Sequence, residues 1–330
     1  MEEVLRRTFA EYRWFKQKNQ FEDEYEKLIV ERRTLPKLEC ETCATDIFNY
    51  HTALETFWFQ WADFMWRLIM ERNASKLFSP GRFMLCHYAN IDTKTNGPNH
   101  FDIRLCFYLN CHNNSGQITI RALVLKPVDS KDGPSTNVPV STLFPNILAC
   151  PTTSFTLEPL KGLVDSVENG LLKLQVVDNL KPMDINSFFN QKQIKLPPGS
   201  NTSFHQRALN DCQTEMLQLL RVMAKPNFEW NSLLQHNIDP LKCSTIVQFS
   251  NLQLPSDAAQ IQAARQDLAS SFVCRTCPQF AEHIKVVHNV QLVANRISKI
   301  RHHLSAASLT LGPEYQAIVE VLHEMGFIDK

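Results

Sequence analysis

Two pairs of cysteines have the spacing that metal-binding loops use. Cys40 and Cys43 form one Cys-x-x-Cys pair, Cys274 and Cys277 form a second, and His283 follows the second pair. Tetrahedral zinc is commonly held by two such pairs, and a histidine can replace one thiolate. Neither pair contains the glycine that usually tightens such a turn, and free cysteines are common in protein cores. Buried thiols are the favoured interpretation, so no metal ligand or other cofactor is predicted, and a zinc site stays open as the alternative.

A second set of residues has the chemistry to bind phosphate. Five basic residues are expected to lie near one another on strands or strand ends: Lys76, Arg82, Arg104, Arg121 and Lys126. Clustered positive charge attracts the RNA backbone, and aromatic side chains beside it can stack on unpaired bases. These five are the candidate RNA-binding residues, although Arg104 and Arg121 also fit the polar face of an ordinary β-hairpin.

Common catalytic motifs are absent from the sequence. None of the glycines belongs to a phosphate-binding loop with a lysine, and neither a Gly-x-Ser-x-Gly nor a His-Glu-x-x-His motif occurs. No catalytic residue is predicted, and the chain by itself is not expected to be an enzyme.

Composition limits the classes of partner. Lysine plus arginine equals aspartate plus glutamate at 34 each, so any contact with nucleic acid must come from a local patch. The 330 residues, 44% of them hydrophobic, are enough for two cores. No apolar run approaches the ~20 residues of a membrane span. We expect an intracellular, monomeric protein with reduced cysteines and no membrane partner.

The elements that must position these residues change along the chain. Most prolines and glycines fall between Leu77 and Ser200, which predicts a helix-rich start, a β-rich centre and a helix-rich end. Apolar residues at three- and four-residue spacing predict helices over Glu2–Leu35, Asp46–Arg72, Gln206–Val222 and Phe280–Leu304. A further helix is predicted to begin near Ala258. Gly312-Pro313 predicts that one helix stops and a last helix begins there.

The aromatic stripe within the second predicted helix contains Trp58, Trp61 and Trp66. Packing against other elements is the favoured interpretation, and an exposed docking face is the alternative.

Alternating apolar and polar residues predict the strands. Phe101–Asn110 and Ile118–Val124 alternate on either side of a turn-like segment, which predicts an antiparallel hairpin. Further short strands are predicted at Arg82–Tyr88, Val138–Leu148, Leu171–Val177 and Gln193–Leu196. Five or six short strands with proline-marked turns favour a small barrel.

Four segments resemble the exosome-associated RNA helicases. Residues 311–329, LGPEYQAIVEVLHEMGFID, are similar to the family's helical part that follows a large insertion, and Val4–Tyr12 is similar to the segment before it. Ser79–Phe83 resembles the start of the insertion's β module. Cys274–His283 resembles the opening of its returning helix, in the form typical of the cytoplasmic superkiller helicase. The chain therefore resembles the insertion, or arch, of such a helicase.

The resemblance implies an α+β fold, in which an antiparallel helical stalk carries a small KOW-like β-barrel fist. The expected segments are outgoing stalk helices at 1–75, the fist at 76–205, returning stalk helices at 206–310, and the start of the helical segment leading back to the helicase core at 311–330. After Gly81-Arg82 this chain departs from the family's basic strand and continues Phe-Met-Leu-Cys-His-Tyr.

The resemblance also implies a function. The parent would be a cytoplasmic, ATP-binding RNA helicase, a hydrolase that feeds RNA to the exosome within the superkiller complex during RNA degradation. This segment would bind RNA or gate the helicase core, with that core, the superkiller subunits and the exosome as partners. Two alternatives stay open: a protein-interaction module that docks partner subunits, and a zinc-stabilised structural arm.

Overall fold

The computed structural model describes residues 2–92, 97–114, 116–127, 137–151, 160–196, 206–223, 237–245 and 247–325. The chain forms two compact units. Unit 1 consists of Met1–Ile47 with Cys274–Lys330, and unit 2 is Phe48–Val273. The second unit is thus inserted, in sequence, between the two segments of the first. The predicted division into four segments stays a prediction.

Unit 1 is built on a pair of helices, α1 (Glu2–Thr34) and α7 (Phe280–Glu324), with the short α2 (Glu41–Ala44) between them in sequence. Phe21 stacks on His303 with ring centroids 5.6 Å apart, and the Arg301 guanidinium donates a 3.2 Å hydrogen bond to the Tyr25 hydroxyl. Later residues of α1 therefore meet earlier residues of α7, and the helices run antiparallel. Their apolar cluster has a buried centre formed by Leu28, Val293, Ile297 and Ile300.

The structure tests two helix boundaries in unit 1. The helix predicted over Glu2–Leu35 is confirmed and ends just before Pro36. The stop and restart predicted at Gly312-Pro313 is wrong, because α7 continues through both residues. A proline removes one backbone hydrogen bond from a helix. The helix nevertheless continues to Glu324, so the loss does not end it.

Unit 2 contains most of α3 (Ile47–Met70) and the helices α4 (Leu160–Glu168), α5 (Gln206–Met223) and α6 (Leu254–Ser270). The predicted helices corresponding to α3, α5 and α6 are confirmed. The sequence did not indicate α4, which is only 9 residues long. None of the helices in the described part of the chain is long and apolar enough to cross a membrane.

An antiparallel sheet forms the centre of unit 2. Its strands are β1 (Arg82–Asp92), β2 (Gly97–Asn114), β3 (Gln117–Pro127), β4 (Asn137–Pro139), β5 (Leu172–Leu180), β6 (Ile185–Gln193) and β7 (Asn237–Ile238). The order is β5-β3-β2-β1-β6-β7, and β4 also pairs with β1. The sheet curls into part of a barrel.

One face of the sheet packs against α4 and α5. Leu85, Phe107 and Leu123 from β1, β2 and β3 share a buried cluster with Val164 of α4 and Met216 of α5. Alternate residues of a strand point to opposite faces. The residues between these positions, such as Cys106 and Val124, are also fully buried, so both sides of the central strands are covered.

The predicted hairpin is confirmed as β2 and β3, with Asn114 opposite Gln117. The strands predicted at Arg82–Tyr88 and Leu171–Val177 are confirmed as parts of β1 and β5. The strand predicted at Val138–Leu148 is wrong beyond Pro139, where a 3-10 turn follows. The strand predicted at Gln193–Leu196 is wrong beyond Gln193, the last residue of β6. The α+β class is confirmed at this level. The KOW-like fist and the stalk stay predictions.

Candidate metal centre and basic residues

The first cysteine pair is placed by α2. Cys40 is the N-cap residue of this helix, in an extended conformation, and Cys43 lies within its single turn. The N–H of Ala44 donates to the Cys40 carbonyl over 2.8 Å, which closes the turn between the two thiols. A Cys-x-x-Cys pair on one tight turn points both sulfurs toward the same point, so a glycine is not needed here.

The other side of the cluster is placed by the start of α7. The Cys277 N–H donates to the Cys274 carbonyl over 3.1 Å, and the N–H of Phe280 donates to the Cys277 carbonyl over 3.1 Å. These turns lead directly into the helix, whose first turn carries His283. The position of the imidazole relative to the Cys277 thiol is therefore set by the helix start.

Four side chains converge although two distant parts of the sequence supply them. The donor atoms of Cys40, Cys43, Cys277 and His283 all lie within 4.8 Å of one another. The Sγ atoms of Cys40 and Cys277 are 3.8 Å apart. His283 Nδ1 lies 3.2 Å from Cys43 Sγ and 3.6 Å from Cys277 Sγ. Cys43 is buried, and the other three side chains are half-buried.

Cys274 is close to this cluster but is not one of its donors. Its side chain is fully buried, its N–H donates to Asp46 Oδ1 over 3.1 Å, and its carbonyl lies 3.9 Å from Cys43 Sγ. Burial first, and then the hydrogen bond with Asp46, raises the pKa of the Cys274 thiol to about 12. The second Cys-x-x-Cys pair therefore supplies one thiol, and His283 takes the position of the other.

The thiols of the cluster influence one another electrostatically. Burial, followed by hydrogen bonding with Cys277 and Cys40, raises the pKa of Cys43 to about 12. The pKa of Cys40 is lowered, mainly by the backbone N–H of Cys43. Several thiols this close cannot all ionise without a compensating cation, since like charges at short range disfavour the charged form.

Arg82 and Arg121, which are both predicted RNA-binding residues, contact neighbouring side chains. Arg82 is only 8% exposed, and its Nε donates to Ser79 Oγ over 3.1 Å. Burial lowers the pKa of its guanidinium. Arg121 makes an ion pair with Asp178, with Nε 2.7 Å from Oδ1.

The other three basic residues differ in exposure. Lys76 is exposed at the end of the 3-10 turn Arg72–Lys76. Arg104 and Lys126 are half-buried. Each lies two residues from the paired Cys106 and Val124, so both share one face of the sheet, Arg104 near the middle of β2 and Lys126 near the end of β3. The Lys126 ammonium lies 5.8 Å from the centre of the Tyr88 ring. The structure thus places Arg104 and Lys126 together and Arg82 in the interior.

The tryptophans of α3 have different environments. Trp58 and Trp61 are buried, and their indole N–H groups donate to the carbonyls of Ala149, over 3.2 Å, and Met183, over 2.9 Å. Trp66 is 41% exposed. Packing is confirmed for the first two, while Trp66 is partly available to solvent.

A buried polar group in unit 2 was not indicated by the sequence. The Asp184 carboxylate is fully buried and accepts hydrogen bonds from the N–H and hydroxyl of Ser141, over 2.6 and 2.7 Å, and from the Lys181 N–H over 2.7 Å. Burial raises the pKa of this carboxyl to about 6. These bonds join two 3-10 turns, a structural role that fully accounts for the group.

Comparison with known proteins leaves the family open. No protein-family model matches the chain, and no curated protein matches it. The functional interpretation therefore depends on the residues and their arrangement.

Proposed function

We propose that this chain is an accessory, non-catalytic module of an ATP-dependent RNA helicase of the superkiller type. The module would contact the RNA that the helicase feeds to the exosome. The proposal originates in the segment resemblance. The observation that best supports it is the antiparallel pairing of α1 with α7, marked by the contacts of Phe21 with His303 and Tyr25 with Arg301. In a module inserted into a host domain the chain leaves and returns along neighbouring paths, and an antiparallel helix pair provides them.

The RNA contact is proposed for Lys76, Arg104 and Lys126. A phosphate contact requires a cation that solvent can reach. Arg104 and Lys126 keep part of their surface exposed on one face of the sheet, and Lys76 is exposed. Arg82 and Arg121 are proposed to act structurally, because one is buried and the other is paired with Asp178.

The cellular setting of the proposal follows the same resemblance. The module would act in the cytoplasm, next to the helicase core of its parent, together with superkiller subunits and the exosome. ATP binding and hydrolysis would belong to the parent and not to this segment.

A second candidate function is the docking of a partner protein. One observation favours it: three apolar side chains of α3, Phe59, Trp66 and Met70, are 49%, 41% and 52% exposed. Their spacing of seven and four residues places them on one side of the helix. Partly exposed aromatic residues are enriched where proteins meet.

The experiment that separates the two functions is RNA binding across a salt series. Each phosphate contact on single-stranded RNA contributes about −0.7 to the slope of log affinity against log salt. We expect the double variant R104E/K126E to flatten that slope by about 1.4. The matched control R207E reverses an exposed charge on α5 and should leave the slope unchanged.

The outcomes are clearly distinguishable. A slope that flattens in R104E/K126E but not in R207E supports the RNA proposal. Undetectable binding at low salt, or equal loss in both variants, contradicts it. If in addition W66A weakens binding to superkiller subunits, the docking function takes its place.

A further inference from the structure

We propose that Cys40, Cys43, Cys277 and His283 bind one zinc ion in a tetrahedral site with three sulfur ligands and one nitrogen ligand. The four donor atoms lie within 4.8 Å of one another. This assignment concerns unit 1 alone and does not depend on the proposed RNA function.

The distances fit the size of a zinc tetrahedron. With bonds of about 2.3 Å to sulfur and about 2.0–2.1 Å to nitrogen, its edges measure about 3.8 Å between sulfurs and about 3.5 Å between sulfur and nitrogen. The measured separations are 3.8 Å for Cys40 Sγ to Cys277 Sγ, and 3.2 and 3.6 Å from His283 Nδ1 to the sulfurs of Cys43 and Cys277. All other donor pairs lie within 4.8 Å, so an ion at the centre would need side-chain shifts of about 1 Å at most.

The donor set fits zinc better than magnesium or calcium. Three thiolates and one imidazole form one of the common structural zinc sites, and all four positions are taken by protein. Magnesium and calcium prefer oxygen ligands, which this cluster lacks. A closed site without a free position for water indicates a structural role.

A disulfide or a chance group of core thiols fits the cluster less well than a metal site. In a disulfide the two sulfurs are about 2.05 Å apart. Cys40 and Cys277 are well beyond that, and both cysteines are free. A chance group of core thiols does not account for His283, whose ring nitrogen lies between two sulfurs in a half-buried position. A metal ion would satisfy the imidazole and the thiolates together.

The position of the site gives the metal its function. Two ligands come from the turn of α2, which follows α1, and two come from the start of α7. The ion would join the two segments of unit 1, because Cys40 and Cys277 are 237 positions apart in the sequence. Because the unfolded chain has no preformed site, zinc binding would favour the folded helix pair.

The test is the metal content of the full chain, purified without added metal or chelator and measured by mass spectrometry. We expect one zinc ion per chain. We expect C40S and H283A, which change half-buried ligands, to lower zinc affinity by more than about 100-fold, since even outer-shell partners contribute about 10–100-fold. C274A is the matched control, because Cys274 belongs to the same motif but is not a donor.

Cobalt substitution keeps the test valid if a variant fails to fold. Wild-type protein stripped of zinc and titrated with Co²⁺ should develop the thiolate-to-cobalt charge-transfer band and the intense visible bands of a tetrahedral site. The assignment is supported if the wild type and C274A each bind one equivalent of metal, whereas C40S and H283A do not. Absence of both zinc uptake and the cobalt spectrum, or loss in C274A with retention in H283A, overturns it.

Discussion

The replacement of Trp61 by phenylalanine tests how α3 is anchored in unit 2. Trp61 is 3% exposed, and its indole N–H donates to the Met183 carbonyl over 2.9 Å. Its ring stacks on Phe57 with centroids 6.2 Å apart. Trp61→Phe keeps an aromatic ring but removes both the hydrogen-bond donor and part of the ring volume.

The expected loss in the free energy of unfolding has two parts. A buried carbonyl left without its donor costs about 1–3 kcal/mol. The smaller ring removes apolar contacts and leaves a small cavity, which costs about another 1–2 kcal/mol. W61F should therefore destabilise the protein by about 2–5 kcal/mol. In contrast, W66F changes a residue that is 41% exposed and should cost less than about 0.5 kcal/mol.

Urea denaturation followed by circular dichroism measures both variants against the wild type. The midpoint should fall clearly for W61F and hardly at all for W66F, with similar slopes for all three proteins. Equal destabilisation by the two substitutions would refute the reasoning, because it would mean that the hydrogen bond and the burial of Trp61 have no special weight.

Three further predictions concern the backbone, the helix pair and pH. Gly81→Ala should lower the free energy of unfolding, measured by urea denaturation, by several kcal/mol. Its φ is +80°, and the new Cβ would collide with the Ile194 carbonyl oxygen. Gly116→Ala, with φ +87° but open space, should cost only about 1–2 kcal/mol. Ile297→Ala should cost about 2–5 kcal/mol in thermal unfolding, because Ile297 lies in the buried cluster of α1 and α7. Burial raises the pKa of Asp184 from 3.8 to about 6, so the folded state holds the proton more tightly. The unfolding free energy should therefore fall by about 3 kcal/mol as pH rises through this interval, and Asp184→Asn should lose that dependence.

Local patterns were sufficient to predict the long elements. The spacing of apolar residues in α3 and the alternation in β2 and β3 reflect burial of one face, which is a local property of the sequence. The stop and restart predicted at Gly312-Pro313 is wrong because glycine and proline, although they disfavour helix interiors, are flanked here by helical sequence on both sides. The 9-residue α4 was not predicted although Leu160, Leu163, Val164 and Val167 recur at helical spacing, because a pattern this short is weak without the packing against α5 and the sheet.

The candidate sites show the same division between local and tertiary information. The two Cys-x-x-Cys pairs and His283 were visible as possible ligands, but only the fold brings four of these five residues together and turns Cys274 toward Asp46. The sequence alone was sufficient to select the basic residues as candidates for RNA binding. The burial of Arg82 and the pairing of Arg121 with Asp178 depend on neighbours distant in sequence, so the spacing of charges could not reveal them.

Zinc X-ray absorption spectroscopy of the purified full chain tests the proposed metal centre most directly. The structure predicts three sulfur ligands at about 2.3 Å and one nitrogen ligand at about 2.0–2.1 Å. In H283A the nitrogen contribution from imidazole should disappear from any zinc that remains. A spectrum with four sulfur ligands would indicate that Cys274 binds in place of His283, and a protein without zinc, or with only oxygen ligands, would contradict the metal centre altogether.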